Sequence, residues 1–450
     1  MAGRRSHARA LSIWSNGERV GTWRLPGRDD AELHYDPAWR ASPAGRPLSL
    51  SLPFAIDDAP LRGRRVTSYF ENLLPDSAEI RRRLVRQTKA ASDQAFDLLQ
   101  AIGRDCVGAV QLLPEGSVPS GVDRIEGTEL SEEDVARYLE RVTEPPGLAG
   151  LEAGEDDFRL SLAGAQEKTA LLWHQGKWLR PHGATPTTHI FKLPLGLVGN
   201  RKVDLSTSVE NEWLCLNLMR ELGLPVPNCA ILRFGDHRVL AVERFDRALH
   251  SSGRWWLRLP QEDFCQALGL PPERKYEADG GPGLRDLARV LAQSENSRED
   301  TSTLLAAHAF YWMLAAPDGH AKNFSLRLLP GGRYRLCPLY DVVSIWPVVG
   351  AADNQWSWHK ARMAMALLGQ NKHYHFKNVV RRHFDTTAFQ CGHGRDAASI
   401  LEPLLARLET AIDAVGARLP AGFPQRVSDA IFTGLRRSSA SLAAAAMLPP

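Results

Sequence analysis

Pro47-Leu48-Ser49-Leu50-Ser51-Leu52-Pro53 alternates apolar and polar side chains with a period of two, the pattern of a half-buried strand. Upstream, apolar-bearing runs between 11 and 23 flank Ser15-Asn16-Gly17-Glu18. Asn-Gly reaches the positive φ that a tight turn demands, so a hairpin is predicted there. Asp76 or Ser77 stands where an N-cap would open a helix over 78–86. A helix over 96–102 and a strand over 108–113 complete a small α+β unit within residues 1–115. Residues 114–127, rich in Gly, Pro, Ser and acids, read as an exposed linker.

Apolar, β-prone runs at 171–179, 189–193, 230–234 and 239–244 read as strands, with a mostly apolar, buried helix over 206–222 among them. From about residue 260 the spacing turns helical, over 261–268, 284–293, 303–315, 397–415 and 424–435. The chain therefore divides into the unit over 1–115, a sheet-rich lobe over 150–250, a helical lobe over 251–435 and a low-complexity tail over 436–450. No internal repeat is visible. The expected class is α+β, with the small sheet-rich lobe ahead of the larger helical one, as in bilobal kinases.

Composition narrows the classes. A chain of 450 residues suffices for several structural units, and its formal charge of +3 is too small to argue for nucleic-acid binding without a local patch. Cys106, Cys215, Cys229, Cys265, Cys337 and Cys391 show no paired short spacing, which argues against a zinc site or a disulfide framework and for reduced thiols in the cytoplasm. Cys391-Gly392-His393 lacks a second pair of ligands nearby. No apolar run reaches the roughly 18 residues a membrane helix needs, and no apolar stretch follows the basic N-terminus.

The chemistry is concentrated in Asp318-Gly319-His320-Ala321-Lys322-Asn323, followed by Asp341. Kinase-type phosphoryl transfer needs a carboxylate to take the acceptor hydroxyl's proton, and an amide oxygen and a second carboxylate to hold Mg²⁺ on the nucleotide phosphates. Asp318 and Asn323 have the spacing of the protein-kinase catalytic loop, although the usual flanking residues are absent. Lys192, a cation within the β-prone His189-Ile190-Phe191-Lys192, suits the phosphate-holding lysine, and Glu210 or Glu212 on the next helix could orient it. Ser161-Leu162-Ala163-Gly164-Ala165-Gln166-Glu167-Lys168-Thr169 is the candidate phosphate loop, although it matches neither glycine-rich pattern. Glu243-Arg244-Phe245 closes the last strand where an adenine-reading hinge would lie. No Gly-x-Ser-x-Gly elbow or other hydrolase arrangement competes.

Taken together, these segments resemble the HipA-type serine/threonine kinase toxins of bacterial type II toxin–antitoxin modules. The likeness is carried by Arg46 to Pro53, Glu71-Asn72-Leu73-Leu74-Pro75-Asp76-Ser77, the stretch from Ile102 to Val110, Ala163 to Thr169, Thr187 to Pro194, Leu240 to Arg247, Arg258 to Asp263, and Asp318 to Asn323. It implies a bilobal protein-kinase-like fold with an added N-terminal α+β subdomain. It further implies Asp318 as the catalytic base and Asn323 and Asp341 as ligands of Mg²⁺. ATP would lie under Ala163, Gly164, Ala165, Gln166, Glu167 and Lys168, against Lys192, the hinge Glu243, Arg244 and Phe245, and the residues His320, Ala321, Lys322, Asn323, Tyr340 and Asp341.

The resemblance also implies autophosphorylation at Ser161, and an aminoacyl-tRNA synthetase as target, notably the glutamate enzyme, whose modification halts translation and arrests growth. It implies a HipB-like helix-turn-helix antitoxin as partner. Operator DNA would be reached through that complex, with Lys372, Lys377, Arg381 and Arg382 as a basic cluster for its phosphates. One departure is Ala316-Pro317 before Asp318, where relatives commonly carry Ala-Thr. The alternative reading is a weak or inactive kinase serving as co-repressor in a toxin–antitoxin–DNA complex.

Overall fold

A computed structural model of the chain describes residues 9–27, 31–143, 166–199 and 201–446. The N-terminal unit is a five-stranded antiparallel sheet in the order Leu61–Arg62, Glu32–Tyr35, Glu18–Leu25, Arg9–Ser15, Gln111–Pro114. Its first hairpin turns at Asn16 and Gly17, with φ of 49° and 86°, as the dipeptide predicts. Helices Arg64–Glu71, Ala78–Thr88 and Ala95–Ile102 complete the unit, and Trp23 stacks on Phe70 at 3.9 Å in its core. Ser77 is the N-cap of the second helix, its hydroxyl accepting from the Ile80 amide at 3.3 Å. That leaves the Asp76 carboxylate for another task.

The alternating segment 47–53 is not a strand. Its period of two serves two cores on opposite sides of a strap. Leu48 and Leu52 enter the N-terminal core, whereas Leu50 packs on the core of the helical lobe. The Ser49 and Ser51 hydroxyls both donate to the Gln266 carbonyl, at 3.1 and 2.6 Å, and the Leu50 amide donates to Glu262 Oε1 at 2.9 Å. Burial, aided by neighbouring Asp263, raises the Glu262 carboxyl to about 8. The folded chain thus keeps a proton that the unfolded chain releases near the ordinary glutamate value. This contribution to stability is complete below about pH 4.5 and is lost as pH rises through about 8. Urea titrations should therefore show native stability falling by on the order of 2–4 kcal/mol between pH 5 and 8, with Glu262→Gln flattening the slope. Equal slopes for the two proteins would contradict this account.

The sheet-rich lobe holds six strands in the order Cys229–Phe234, His237–Glu243, His189–Lys192, Lys168–His174, Lys177–Pro181, Gly127–Leu130. The run expected as one strand over 171–179 is broken because Gln175 and Gly176 adopt φ of 50° and 80° and turn the chain. The strand Gly127–Leu130 and the helix Glu132–Thr143 belong with this sheet, so the lobe recruits residues ahead of 150. A hairpin of Gly196–Val198 and Val203–Leu205 leads into the buried helix Ser208–Glu221.

In the helical lobe, Ser297–Leu314 is packed by Leu284–Leu291, Ala398–Gly416 and Gln425–Ala446. The last of these carries the expected tail onward as helix, and Leu442 is buried. The helix expected over 261–268 splits. Asp263 forms a capping box with Gln266 (amide to carboxylate 2.8 Å, amide to side-chain oxygen 2.9 Å), so the residues before the cap are extended. Gln261–Asp263 accordingly pairs with Ser325–Leu328, and only Phe264–Ala267 is helical. The hairpin Arg362–Leu368 with Lys372–His375 and the helix Arg381–Gln390 had no counterpart in the sequence reading.

The N-terminal unit is locked to the rest by buried ions. Asp105 contacts Arg258, bonds Arg247 Nη2 at 2.9 Å, and accepts from the Thr187 amide at 3.0 Å and hydroxyl at 2.7 Å. Arg244 grips Asp246 with Nε and Nη2 at 3.0 and 2.8 Å and donates to the Cys106 carbonyl at 2.9 Å. The Gly108 amide donates to Asp246 Oδ2 at 2.7 Å. Gly108 has φ of 73°, and a Cβ there would lie 2.8 Å from the Gln261 carbonyl, so only glycine fits.

Candidate active site

Helix Ser297–Leu314 delivers the first acid. It ends with Ala315 in the left-handed region at φ 49°, the Ala315 amide donating to Trp312 O at 3.1 Å and the Ala316 amide to Tyr311 O at 2.8 Å. Pro317 follows this closed terminus, so its missing N–H costs no helical bond and its ring stops the helix. A Cβ on Gly319 would lie 2.6 Å from the Tyr311 ring, which keeps the next turn of chain close to the helix. Asp318 emerges with its side chain 54% exposed. Asn323 Nδ2 donates to the Asp318 carbonyl at 2.6 Å, which leaves the Asn323 amide oxygen for a cation.

Lys192 ends the strand His189–Lys192 with its side chain only 9% exposed. Its ammonium lies 2.6 Å from Glu212 Oε1 and 2.9 Å from Asp341 Oδ1. Glu212 is therefore the helix acid that orients the lysine, whereas Glu210 pairs with Arg238 at 2.7 Å. Burial raises the Glu212 carboxyl despite the ammonium beside it. At Asp341 burial is outweighed by Lys192 and Lys168, which hold the carboxyl well below the usual range. Asp341 itself takes φ of 64°. Lys168 sits opposite Lys192 in register on the adjacent strand, and burial brings its ammonium down to about 8.

Lys168, Lys192, Asp318, Asn323 and Asp341 line one open cleft between the lobes. At the expected hinge, Glu243, Arg244 and Phe245 all border the cleft. The Glu243 and Arg244 amides are already bonded, to Asn228 O and Thr188 O at 2.8 Å each, and the Arg244 guanidinium is drawn into the buried ionic cluster. Phe245 does form a wall, 5.6 Å from the Tyr340 ring. Tyr340 donates to the Lys322 carbonyl at 2.8 Å. Ser161, Ala163, Gly164 and Ala165 lie outside the described residues. Gln166 is bonded to the Leu193 carbonyl at 2.5 Å and Glu167 pairs with Arg83; of the described end of that loop, Lys168 is what reaches the cleft. Ala321 is buried and does not line it.

Of the basic cluster, Lys372 is paired with Glu277 at 2.7 Å and Arg381 with Glu402, while Lys377 contacts His359 at 3.1 Å and Arg382 is exposed. Two of the four cations are thus neutralised locally. Among the cleft residues not anticipated from sequence are Asp76, Asp263 and Lys275, and Tyr276, bonded to Asp318, was not anticipated either. Asp76, from the N-terminal unit, bridges Lys275 and Lys322 at 2.7 Å each. Burial would raise its carboxyl, but the two ammonium groups outweigh that and hold it at about 2.

The donor set fits a nucleotide-bound Mg²⁺. Such an ion is held by one or two side chains plus phosphates, and the Asn323 amide and Asp341 carboxylate supply those. Among the described residues no cluster of three His, Cys, Asp or Glu side chains forms a self-sufficient metal site.

A small sheet-rich lobe with a buried lysine–glutamate pair, joined to a helical lobe that brings Asp318, Asn323 and Asp341 to the same cleft, defines a protein-kinase-like fold. Residues 160–412 match the family described as HipA-like C-terminal domain, and residues 11–113 match the HipA N-terminal domain. The chain belongs to the HipA family. It is 35% identical over 342 residues to "Putative kinase Y4mE" of Sinorhizobium fredii, covering 75% of this chain and 77% of that one. It is 28% identical over 328 residues to "Serine/threonine-protein kinase toxin HipA" of Shewanella oneidensis, covering 70% of each. The fold is shared with the solved complex of Shewanella oneidensis HipA, HipB and operator DNA, at a TM-score of 0.77 and 23% identity, over 96% of this chain and 97% of that one.

Proposed function

We propose that this protein is an ATP- and Mg²⁺-dependent serine/threonine kinase toxin of a type II toxin–antitoxin module. The observation that carries the reading is Lys192 held between Glu212 and Asp341 in the cleft that Asp318 and Asn323 enter. Bound MgATP would supply the phosphoryl group and the cation that neutralises its charge. Lys192 and Lys168 would hold the phosphates, Asn323 and Asp341 the metal, and Phe245 and Tyr340 the base. Asp318 Oδ2, which has no hydrogen-bond partner among the described residues, would take the proton of the acceptor hydroxyl.

The natural first acceptor is Ser161, and the cellular one an aminoacyl-tRNA synthetase, with the glutamate enzyme foremost. Assembly with a helix-turn-helix antitoxin, and with operator DNA through that complex, is in keeping with the HipA, HipB and operator DNA assembly of the structural relative; Lys377 and Arg382 would be the cations of the basic cluster left to meet DNA phosphates. The same reading places the protein in the cytoplasm.

Incubation with labelled ATP and Mg²⁺ should put phosphate on Ser161, and activity should then decline as the loop gains nearly two negative charges beside the phosphate site. Ser161→Ala should stay active under the same incubation. If Ser161→Ala loses activity at the native rate, self-inactivation through this residue is ruled out. If the native chain transfers no more phosphate than Asp318→Gln, the co-repressor reading replaces the kinase.

A further inference from the structure

The turn over 271–283 docks on the catalytic loop. The Tyr276 hydroxyl donates to Asp318 Oδ1 at 2.6 Å, and the Tyr276 ring meets His320 edge-on at 5.0 Å. The backbones are tied as well, the Ala321 amide donating to the Lys275 carbonyl at 3.2 Å. The turn has little freedom. The Asp279 and Gly281 amides both donate to the Tyr276 carbonyl, at 3.1 and 2.9 Å. Gly281 admits no side chain, because a Cβ there would lie 2.1 Å from the Arg274 carbonyl.

Tyr276 is not among the residues lining the cleft, and it meets Asp318 from outside it. Its bond and the nearest His320 contact, at 3.8 Å, both fall on Oδ1. A carboxylate held through one oxygen presents the other in a fixed direction. Asp76 clamps both flanks of this arrangement, since Lys275 precedes Tyr276 and Lys322 precedes Asn323. Through Asp76 the N-terminal unit thus holds the two segments that flank the base.

We propose that Tyr276 is a positioning residue for Asp318, and that the N-terminal unit holds it in place through the Asp76–Lys275 and Asp76–Lys322 ion pairs. This deepens the kinase reading and rests on it. A displaceable plug over the acceptor site would not be tied to the catalytic loop through its own backbone, as Lys275 is to Ala321. A built-in support for the base would be.

The test is phosphate transfer from labelled ATP to the chain or to water, measured on the full-length protein, alongside titration of ATP binding and thermal unfolding. Tyr276→Phe keeps the ring against His320 and removes one oxygen. It should lower kcat by about 10- to 100-fold, the scale of a misaligned reacting group, while KM and the dissociation constant for ATP stay within about two-fold. Asp76→Asn should shift kcat in the same direction. If Asp76→Asn unfolds, Tyr276→Phe alone still decides the matter.

An unchanged kcat in Tyr276→Phe, with Asp318→Gln inert, overturns this proposal and leaves the kinase reading standing. A raised kcat would make Tyr276 a block rather than a support and also overturns it. Asp318→Gln as active as the native chain, or a native chain that transfers no phosphate, removes the kinase reading and this proposal together.

Discussion

Asp105→Ala is expected to cost the folded chain about 3–5 kcal/mol, measured as a loss of unfolding free energy in urea. The reason lies in the imbalance it creates. Arg244, Arg247 and Arg258 share Asp105 and Asp246, and all five are buried. Removing Asp105 leaves three guanidinium groups around one carboxylate, with no water to screen them. Burial alone would raise the Asp105 carboxyl, yet Arg258, Arg247 and Arg244 hold it far below the usual range. Its contribution is therefore present above the unfolded value near pH 4 and is lost only as the solution becomes strongly acidic. Because Asp105 lies in the N-terminal unit and the arginines do not, limited proteolysis should cut the variant between the two, in residues 115–126, sooner than the native chain. A loss under about 1 kcal/mol would mean that backbone carbonyls such as those of Cys106 and Gly108 satisfy the arginines without Asp105.

Lys192→Met should show the opposite balance, with a large loss of function and a smaller loss of stability. In the proposed kinase mechanism the ammonium that Glu212 holds would be a phosphate contact, and losing such a donor costs roughly 10²- to 10³-fold in rate. The structural cost is limited because Glu212, already raised by burial, can take up a proton once its partner is gone. About 1–3 kcal/mol is expected. Steady-state kinetics with ATP and urea unfolding of the same preparation separate the two effects. A variant that loses the full cost of a broken buried ion pair, yet binds and uses ATP normally, would make Lys192 structural only.

The parts of the site that were legible in the sequence were those fixed by local spacing. Asp318 and Asn323 lie within one turn of chain, and Lys192 announces itself as a charge in an apolar strand. What stayed illegible depends on residues far away. Glu210 and Glu212 are equivalent along their helix until Arg238 claims one of them. Arg244 sat where a hinge residue belongs, but Asp105 and Cys106 of another domain draw its side chain inward. Asp76 and Ser77 both read as candidate helix caps; Ser77 takes that role, and the ion pairs of Asp76 with Lys275 and Lys322 had no local signal. Periodicity misled where one stretch faces two cores, as at Leu48, Leu50 and Leu52, and where a capping box resets the backbone, as at Asp263.

Asp341 carries a constraint of its own. At φ of 64° its backbone favours glycine, asparagine or aspartate, because other side chains crowd the carbonyl there. The bond to Lys192 asks independently for an anion. Glutamate meets the second demand but not the first; glycine and asparagine meet the first but not the second. Aspartate alone satisfies both, so at this position the choice of amino acid is set by geometry and charge together, and either one would suffice to reject most substitutes.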